Sequence, residues 1–228
     1  DDALPIWNID VFVFDKTGTI TEGAPQVTDI IWIGTNTSER YAPVLSAIEN
    51  RSEHPLAGAV VKYLKSDNKG IAISGFESIT GKGVKAVTTE GTFYVGSDKL
   101  MSDKLIWVTD DIEVQAKALR DKANTVVYFS SDKDLIALIA ITDKVKKNSA
   151  PALRQLGTSH QLYMLTGDNE ATAMAVADDV GITNYTAAML PADKDAFIKT
   201  LQSQNTQVAM IGDGINDSEA MAVADISM

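Results

Sequence analysis

The sequence contains no cysteine, and its only histidines are His54 and His160. Without thiols the chain cannot form disulfides, bind a metal through thiolates or use a cysteine nucleophile. Two histidines are also too few for the histidine-rich sites that zinc often occupies. The chemistry of this chain must therefore rest on other side chains.

Basic residues are scarce relative to acidic ones. The chain has 20 Lys and Arg against 31 Asp and Glu, which gives a formal net charge of −11. This charge opposes contact with the phosphate backbone of nucleic acids. The composition therefore predicts a soluble acidic surface and no nucleic-acid partner.

Long apolar runs are missing as well. The longest run, "LIALIAI" at residues 135–141, has the length of a strand and falls short of the roughly 20 residues that span a bilayer. The opening "DDALPIW" lacks the basic leader and the apolar stretch of a signal peptide. These residues are expected to be soluble, which leaves open whether they belong to a membrane protein.

Two separated parts of the chain have the pattern of a parallel sheet. "IDVFVFD" at residues 9–15 is nearly all apolar up to its last aspartate, as in a buried parallel strand, and predicted helices and strands alternate in the last third of the chain. The middle has short strands, glycine turns and helices, which favours an antiparallel sheet. We predict an α/β fold with a Rossmann-like parallel-sheet domain (1–24 and 141–228) and an inserted α+β antiparallel-sheet domain (25–140).

Small residues and carboxylates follow three of the predicted parallel strands. Asp15 ends the first strand, whereas "TGDN" at residues 166–169 and "GDGIND" at residues 212–217 follow two later ones. Ligands of open parallel sheets bind beyond these strand ends. Several carboxylates at one place repel one another unless a cation intervenes, and Mg²⁺ accompanied by phosphate suits such oxygen ligands.

This arrangement predicts phosphoryl transfer with Asp15 as the nucleophile. A carboxylate can form an acyl phosphate when a metal and cationic groups neutralise the transferring phosphoryl group. Thr166 and the backbone of Gly167 are predicted to bind phosphoryl oxygens, and Lys194 in "PADKD" to supply positive charge. Asp213 is predicted to hold Mg²⁺ together with Asp15.

The motifs "DKTGT", "TGDN" and "GDGIND" resemble the phosphorylation-domain signatures of P-type ATPases, which belong to the haloacid-dehalogenase-like (HAD-like) superfamily. The resemblance covers essentially the whole chain and implies that ATP phosphorylates an aspartate during ion pumping. The residues to which it assigns catalytic roles are Asp15, Lys16, Thr17, Thr166, Gly167, Asp168, Lys194 and Asn216. Those to which it assigns Mg²⁺ binding are Asp15, Thr17, Asp213 and Asp217.

The inserted segment resembles one branch of that family. "SEHPLA" at residues 52–57 is similar to the His-Pro element of heavy-metal-transporting P-type ATPases, and "GKGV" and "VGSDKL" follow it. The resemblance implies that Glu53 and His54 hold the adenine end of ATP, while Gly81 and Gly83 let the backbone approach the nucleotide. The insertion would then be the nucleotide-binding (N) domain, and the parallel-sheet domain the phosphorylation (P) domain.

The same resemblance implies that this is the cytoplasmic catalytic fragment of an integral membrane protein. Its partners would be the actuator and transmembrane domains of the same polypeptide, and the transported metal ion would bind only in the full-length pump. Monovalent copper is the first expectation for that ion, and zinc or cadmium the second. Where the family usually has Gly-Asn this chain has Gly96-Ser97, so no nucleotide contact is assigned to Ser97.

Two other functions stay open. A soluble HAD-like phosphatase resembles Asp-x-Asp at the first motif, but here Thr17 takes the second position and cannot act as general acid or base, so the acyl phosphate should be long-lived. A nucleotide-binding module without catalysis would bind ATP through Glu53 and His54 and leave Asp15 unmodified. Asp143, in "TDKVKKNS", either steadies the site or shapes the hinge between the domains.

Overall fold

The computed structural model describes residues 9–35, 37–65, 70–214 and 217–228. Its strands and helices are numbered separately in chain order. The strands are β1 (Val11–Asp15), β2 (Gln26–Trp32), β3 (Ile73–Ile79), β4 (Gly83–Thr88), β5 (Gly91–Gly96), β6 (Thr125–Ser131), β7 (Leu135–Thr142), β8 (Gln161–Leu165), β9 (Asn184–Thr186), β10 (Val208–Ile211) and β11 (Ile226–Ser227). The helices are α1 (Thr37–Glu49), α2 (Pro55–Leu64), α3 (Asp98–Asp103), α4 (Asp110–Arg120), α5 (Ser149–Leu156), α6 (Glu170–Val180), α7 (Pro191–Gln202) and α8 (Ser218–Val223).

The chain forms two compact units. Unit 1 consists of the residues up to Ala24, residues 121–123 and the chain from Asp143 onward, and unit 2 consists of residues 25–120 and 124–142. The assignment of phosphorylation to the first and nucleotide binding to the second stays a prediction. Among the described residues, no helix combines the length and the apolar character that a bilayer crossing requires.

Unit 1 is built on a parallel sheet with the strand order β11-β10-β1-β8-β9. All five residues of the central strand β1 are buried, because helices cover both faces of the sheet. Phe12 and Phe14 pack in one cluster with residues of α5 and α6, whereas Val11 and Val13 pack in another with residues of α7 and α8. The alternation of side chains along a strand therefore explains why β1 is apolar throughout.

Unit 2 is built on an antiparallel sheet with the order β2-β7-β6-β5-β4-β3. Strand β7 carries the apolar run noted above, and its side chains divide between two cores. Ile139 and Ile141 pack with residues of α1 and α2, while Leu138 packs with residues of α3 and α4. The predicted fold class, a parallel-sheet domain interrupted by an antiparallel α+β domain, is confirmed.

Glu49, the last residue of α1, is a buried acid in unit 2. It is only 7 % exposed, next to Ile48 of the buried cluster on this face of the sheet. Burial disfavours the ionised form and raises the pKa of the Glu49 carboxyl to about 7. Sequence patterns do not single out this residue, because its burial depends on the packing of α1 against the sheet.

Glu49→Gln is expected to remove a pH dependence of stability. The carboxyl is protonated in the native state but ionised in the unfolded chain between pH 4.5 and about 7, so the parent should lose stability as pH rises through this window. The total loss in the free energy of unfolding of the parent should approach ~3 kcal/mol. Urea unfolding followed by the fluorescence of Trp32 and Trp107 would measure it, with Glu39→Gln at an exposed position as control. If the difference in unfolding free energy between the parent and Glu49→Gln did not change with pH, the raised pKa of Glu49 would be contradicted.

Candidate active site

The site lies at the carboxyl end of the parallel sheet of unit 1. Asp15, the last residue of β1, is 5 % exposed and pairs with Leu165 at the end of β8. On the other side Phe14 pairs with Ile211 at the end of β10. This register brings the segments that follow β8 and β10 to either side of Asp15, which is the convergence that parallel strands produce.

A buried lysine joins two of the predicted carboxylates. Lys194 lies in the first turn of α7 and is 6 % exposed. Its Nζ is 2.5 Å from Oδ1 of Asp15 and 2.6 Å from Oδ1 of Asp217. Since both carboxylates are also buried, one ammonium group compensates two acids in a region with little water.

For both Asp15 and Lys194, burial and the contact between the two groups shift the pKa in opposite directions. Burial is the largest influence on Asp15 and raises its pKa, and the charge of Asp217 adds to this, while Lys194 opposes it. Burial by itself would lower the pKa of Lys194, but its contacts with Asp15 and Asp217 together outweigh burial and leave that pKa above its ordinary value. Lys194 is therefore cationic at neutral pH, and ionisation of both acids leaves an excess of one negative charge.

The surrounding oxygen atoms fit Mg²⁺ in the company of a phosphate. In the described part of the chain, the buried Oδ2 of Asp217 has no hydrogen-bond partner. A Cβ added at Gly18 would lie 3.1 Å from Oδ2 of Asp213, so this carboxylate approaches the turn that follows Asp15. The described residues contain no group of three or more His, Cys, Asp or Glu that could hold a metal ion by itself. Mg²⁺ commonly takes one or two carboxylates and completes its shell with phosphate and water.

The turn that follows β1, residues 16–20, places the next two predicted residues. The backbone N–H of Thr17 donates to the Asp15 carboxylate, and Gly18 has a φ of +76° that favours glycine. Nζ of Lys16 lies 2.5 Å from Oδ2 of Asp168, and Lys16 is buried. Two residues that were predicted separately as catalytic therefore form an ion pair with each other.

Thr166 and Gly167 lie directly after β8. Thr166 is buried, and its Oγ1 accepts a hydrogen bond of 3.1 Å from the backbone N–H of Asp168. A Cβ at Gly167 would come within 3.3 Å of the carbonyl oxygen of Met189, which leaves little room for a side chain. The predicted residue Asn216 lies outside the described residues.

Thr21, Asp143 and Lys146 form a clamp around the turn that follows β1, and the sequence analysis anticipated a role only for Asp143. Oγ1 of Thr21 lies 2.5 Å from Oδ2 of Asp143, whose carboxylate also accepts from the backbone N–H groups of Gly23 and Ala24. Nζ of Lys146 donates to the carbonyl oxygen of Gly18 over 2.6 Å.

The contacts of Asp143 relate to both roles considered for it, steadying the site and shaping the hinge. Its contact with Thr21 steadies the turn, because Oγ1 of Thr21 also lies 3.0 Å from the carbonyl oxygen of Lys16. Its contacts with Gly23 and Ala24 hold the backbone where the chain leaves unit 1. The role of Thr21 was missed, although it is a hydroxyl residue at the end of the conspicuous segment "DKTGTIT".

The predicted adenine-binding pair lies at the start of α2. His54 caps this helix, because its Nδ1 accepts a 3.2 Å hydrogen bond from the backbone N–H of Leu56. Glu53 and His54 are both exposed. Leu56 and Val84, the residue after Gly83, belong to the same core cluster, so the two predicted nucleotide elements adjoin the same face of the sheet.

The two glycines of the "GKGV" turn have structural reasons to be glycine. Gly81 and Gly83 have φ angles of +69° and +141°. A Cβ at Gly83 would lie 2.2 Å from the carbonyl oxygen of Val95 on the neighbouring strand, which is a severe clash. The requirement for glycine at residue 83 therefore follows from strand packing alone, and its nucleotide contact stays a prediction.

Comparison with known proteins gives consistent similarities. A family model described as haloacid dehalogenase-like hydrolase matches residues 9–225. The probable cadmium-transporting ATPase of Alkalihalophilus pseudofirmus is 38 % identical over 225 residues, covering 94 % of this chain and 31 % of that protein. The copper-exporting P-type ATPase of Staphylococcus haemolyticus is 38 % identical over 222 residues, covering 96 % of this chain and 27 % of that protein.

A solved structure is similar over nearly the whole chain. It is the catalytic domain of the CPx-ATPase CopB-B, from work on conformational changes upon nucleotide binding. The TM-score is 0.69 at 28 % sequence identity, with 97 % of this chain and 80 % of that chain covered. This chain thus matches a catalytic domain over most of its length, whereas it spans about three tenths of the length of the curated relatives.

Lys194→Met is expected to destabilise unit 1, because it leaves Asp15 and Asp217 buried side by side without their cation. Removing one partner of a buried ion pair typically costs about 3–5 kcal/mol. Burial already raises the pKa of Asp15, and without the opposing charge of Lys194 it should rise further. The loss should therefore shrink as the pH falls and Asp15 becomes protonated.

Chemical denaturation of the parent and Lys194→Met at pH 7 and pH 5 would measure this loss. Lys199→Met is the matched control, since Lys199 lies on the same helix and is exposed in its pair with Asp195. That substitution should cost less than about 1 kcal/mol. Equal stability losses for the two variants would refute a special role for the buried lysine.

Proposed function

We propose that this chain, which belongs to the haloacid dehalogenase-like hydrolases and is homologous to the catalytic domain of heavy-metal P-type ATPases, receives a phosphoryl group from ATP on Asp15. In the complete pump the aspartyl phosphate would then drive the transport of a metal ion. The observation that carries the proposal is the contact of buried Lys194 with Asp15 and Asp217 beyond the end of β1.

The chemistry of this step follows from the residues around Asp15. A carboxylate oxygen of Asp15 forms a bond to the γ-phosphorus of ATP, and the bond from that phosphorus to the β,γ-bridging oxygen breaks, so that ADP leaves with the electron pair. The positive charge of Lys194 offsets negative charge at the reacting oxygens. The hydroxyl of Thr166 and the backbone N–H of Gly167 are the proposed donors to the phosphoryl oxygens.

The remaining acids have proposed roles around this reaction. Asp15, Asp213 and Asp217 would hold Mg²⁺, with Thr17 contributing from the turn, and the ion would neutralise charge on the transferring phosphate. The ion pair of Lys16 with Asp168 links the turn that follows β1 to the segment after β8. Asn216 is retained as a proposed catalytic residue on the strength of its motif.

The identity of Thr17 favours a pump over a soluble phosphatase. In a phosphatase of this superfamily a second carboxylate protonates the leaving group and then activates water, whereas a threonine hydroxyl cannot do so at neutral pH. The acyl phosphate should therefore persist until another part of the protein promotes its hydrolysis. A nucleotide-binding module without catalysis would leave the buried group of Asp15, Lys194 and Asp217 without a use.

Unit 2 is the proposed site of nucleotide binding. Exposed Glu53 and His54 would meet the adenine end of ATP, and the turn at Gly81 and Gly83 would approach the nucleotide through its backbone. The similarity to a catalytic domain studied upon nucleotide binding supports this role. Glu49, five residues before His54, ends α1, which packs in the same core cluster as α2. This placement makes Glu49 a further candidate nucleotide contact, and its raised pKa is in keeping with that role.

The cargo and setting of the complete protein are proposals by homology. Relatives named for cadmium and for copper are both 38 % identical to this chain, so the similarity supports a heavy-metal cation without favouring the expected copper. The chain would act on the cytoplasmic side of a membrane, with actuator and transmembrane domains of the same polypeptide as partners. Its share of the relatives' length is compatible with such additional domains.

Asp15→Asn should abolish phosphorylation of the chain. Incubation with Mg²⁺ and γ-labelled ATP followed by an acid quench should leave label on the parent protein, and hydroxylamine should release it because an acyl phosphate is labile to that nucleophile. Asp179→Asn, at an exposed position of α6, should be labelled like the parent.

Two other outcomes would decide against the proposal. Label that persists in Asp15→Asn would identify a different acceptor. Rapid multiple-turnover hydrolysis of p-nitrophenyl phosphate that depends on Asp15, without a trapped intermediate, would favour the phosphatase.

His54 is expected to contribute to ATP affinity through its ring. Calorimetric titration of Mg²⁺-free ATP at fixed ionic strength should show that His54→Ala binds at least tenfold more weakly, about 1.4 kcal/mol. His54→Asn is the decisive companion, because asparagine is an effective helix cap but lacks the imidazole. Weak binding by both variants supports a ligand contact, while normal binding by His54→Asn would reduce the role of His54 to capping α2.

A further inference from the structure

Unit 2 exposes two large apolar side chains within three residues of sequence. Leu105 is 90 % exposed and Trp107 is 78 % exposed, whereas Ile106 between them is buried. Isolated exposed apolar residues are common, but two large ones so close in sequence are less so, and tryptophan is enriched among the residues that dominate binding energy. Neither residue has a role in the proposed phosphoryl transfer.

The backbone at Leu105 adds to this observation. Leu105 has a φ of +56° just after the end of α3, and the N–H of Ile106 reaches back to the carbonyl oxygen of Met101. Glycine is the residue that this left-handed position favours, because a Cβ is strained there. A leucine at this position therefore gives up local stability while presenting its side chain to solvent.

Aspartates outnumber lysines in the segments next to the two apolar side chains, with Asp110, Asp111, Asp132 and Asp134 against Lys104 and Lys133. Asp110 and Asp111 begin α4 just after Trp107, and a bridge between Trp107 and Asp134 brings the β6–β7 turn alongside. Asp110, Asp132 and Asp134 are exposed, and no basic side chain of the described ranges forms an ion pair with them. We name Leu105, Trp107 and these four aspartates the Leu105–Trp107 surface.

Charge restricts what can bind there. A second copy of the chain, itself at −11, would bring the same acidic rim, and nucleic acids and anionic membranes would also be repelled. A basic segment would be attracted, and its apolar side chains would cover Leu105 and Trp107. We propose that the Leu105–Trp107 surface binds a protein segment that carries apolar side chains flanked by lysine or arginine.

The test uses the chain of 228 residues and two synthetic helical peptides. One peptide consists of leucine and lysine in an amphipathic pattern, and the other has glutamate in place of lysine. Calorimetry and the emission of tryptophan should show binding of the first peptide, weakened by salt, and no binding of the second.

Substitutions within the surface should weaken binding of the lysine peptide. Trp107→Ser and the double change Asp132→Lys with Asp134→Lys should each reduce affinity at least ~10-fold. Leu105→Gly is the most informative variant, because glycine suits the left-handed backbone and should preserve folding while removing the apolar contact. Tyr63→Ser and Glu39→Lys, at exposed positions on α2 and α1, are the matched controls and should change affinity less than about twofold.

Several results would overturn the proposal. Equal binding by the parent, Leu105→Gly and Trp107→Ser would mean that the peptide binds elsewhere. Binding of the glutamate peptide would show that the aspartates do not select basic segments. Self-association that Leu105→Gly abolishes in sedimentation would assign the surface to a second copy, and Trp107-dependent binding to anionic vesicles would assign it to a membrane.

Discussion

The contact of Lys194 with Asp15 and Asp217 is the interaction on which the site of unit 1 depends. Each of the three groups would be costly to bury alone, and together they leave a site that still attracts a cation. Asp15 comes from a central strand, Lys194 from the start of α7, and Asp217 from the residue before α8. The same contact that compensates charge therefore fixes two helix starts relative to the carboxyl end of β1.

Around this contact, other side chains hold the backbone of the turn that follows β1. Asp143 accepts hydrogen bonds from Gly23 and Ala24 and contacts Thr21, while Lys146 donates to the carbonyl oxygen of Gly18. Positioning of this kind limits the freedom of Asp15 before any substrate binds, which is how a preorganised site lowers a barrier. Residues 16–24 thus connect the carboxylate of Asp15 to the point where the chain enters unit 2.

Unit 2 shows why a residue type and a functional role must be separated. Gly83 lies against the carbonyl oxygen of Val95, so packing requires glycine whether or not a nucleotide binds. His54 caps α2, although the same residue is the proposed adenine contact. Burial alone raises the pKa of Glu49, although the same residue is a further candidate nucleotide contact. Only experiments that preserve the structural role can then measure the functional one.

The order and spacing of residues by themselves determined the fold class and pointed to the three motifs at the strand ends. Continuous apolar strands that end in small residues and carboxylates require a parallel sheet with a site at one edge. Tertiary structure alone decided the partners: Lys194 contacts Asp217 as well as Asp15, and Lys16 pairs with Asp168. Such contacts depend on strand register and helix placement across distant parts of the chain, which local sequence patterns do not encode. For the same reason the burial of Glu49 and the exposure of Trp107 became visible only after the elements had packed.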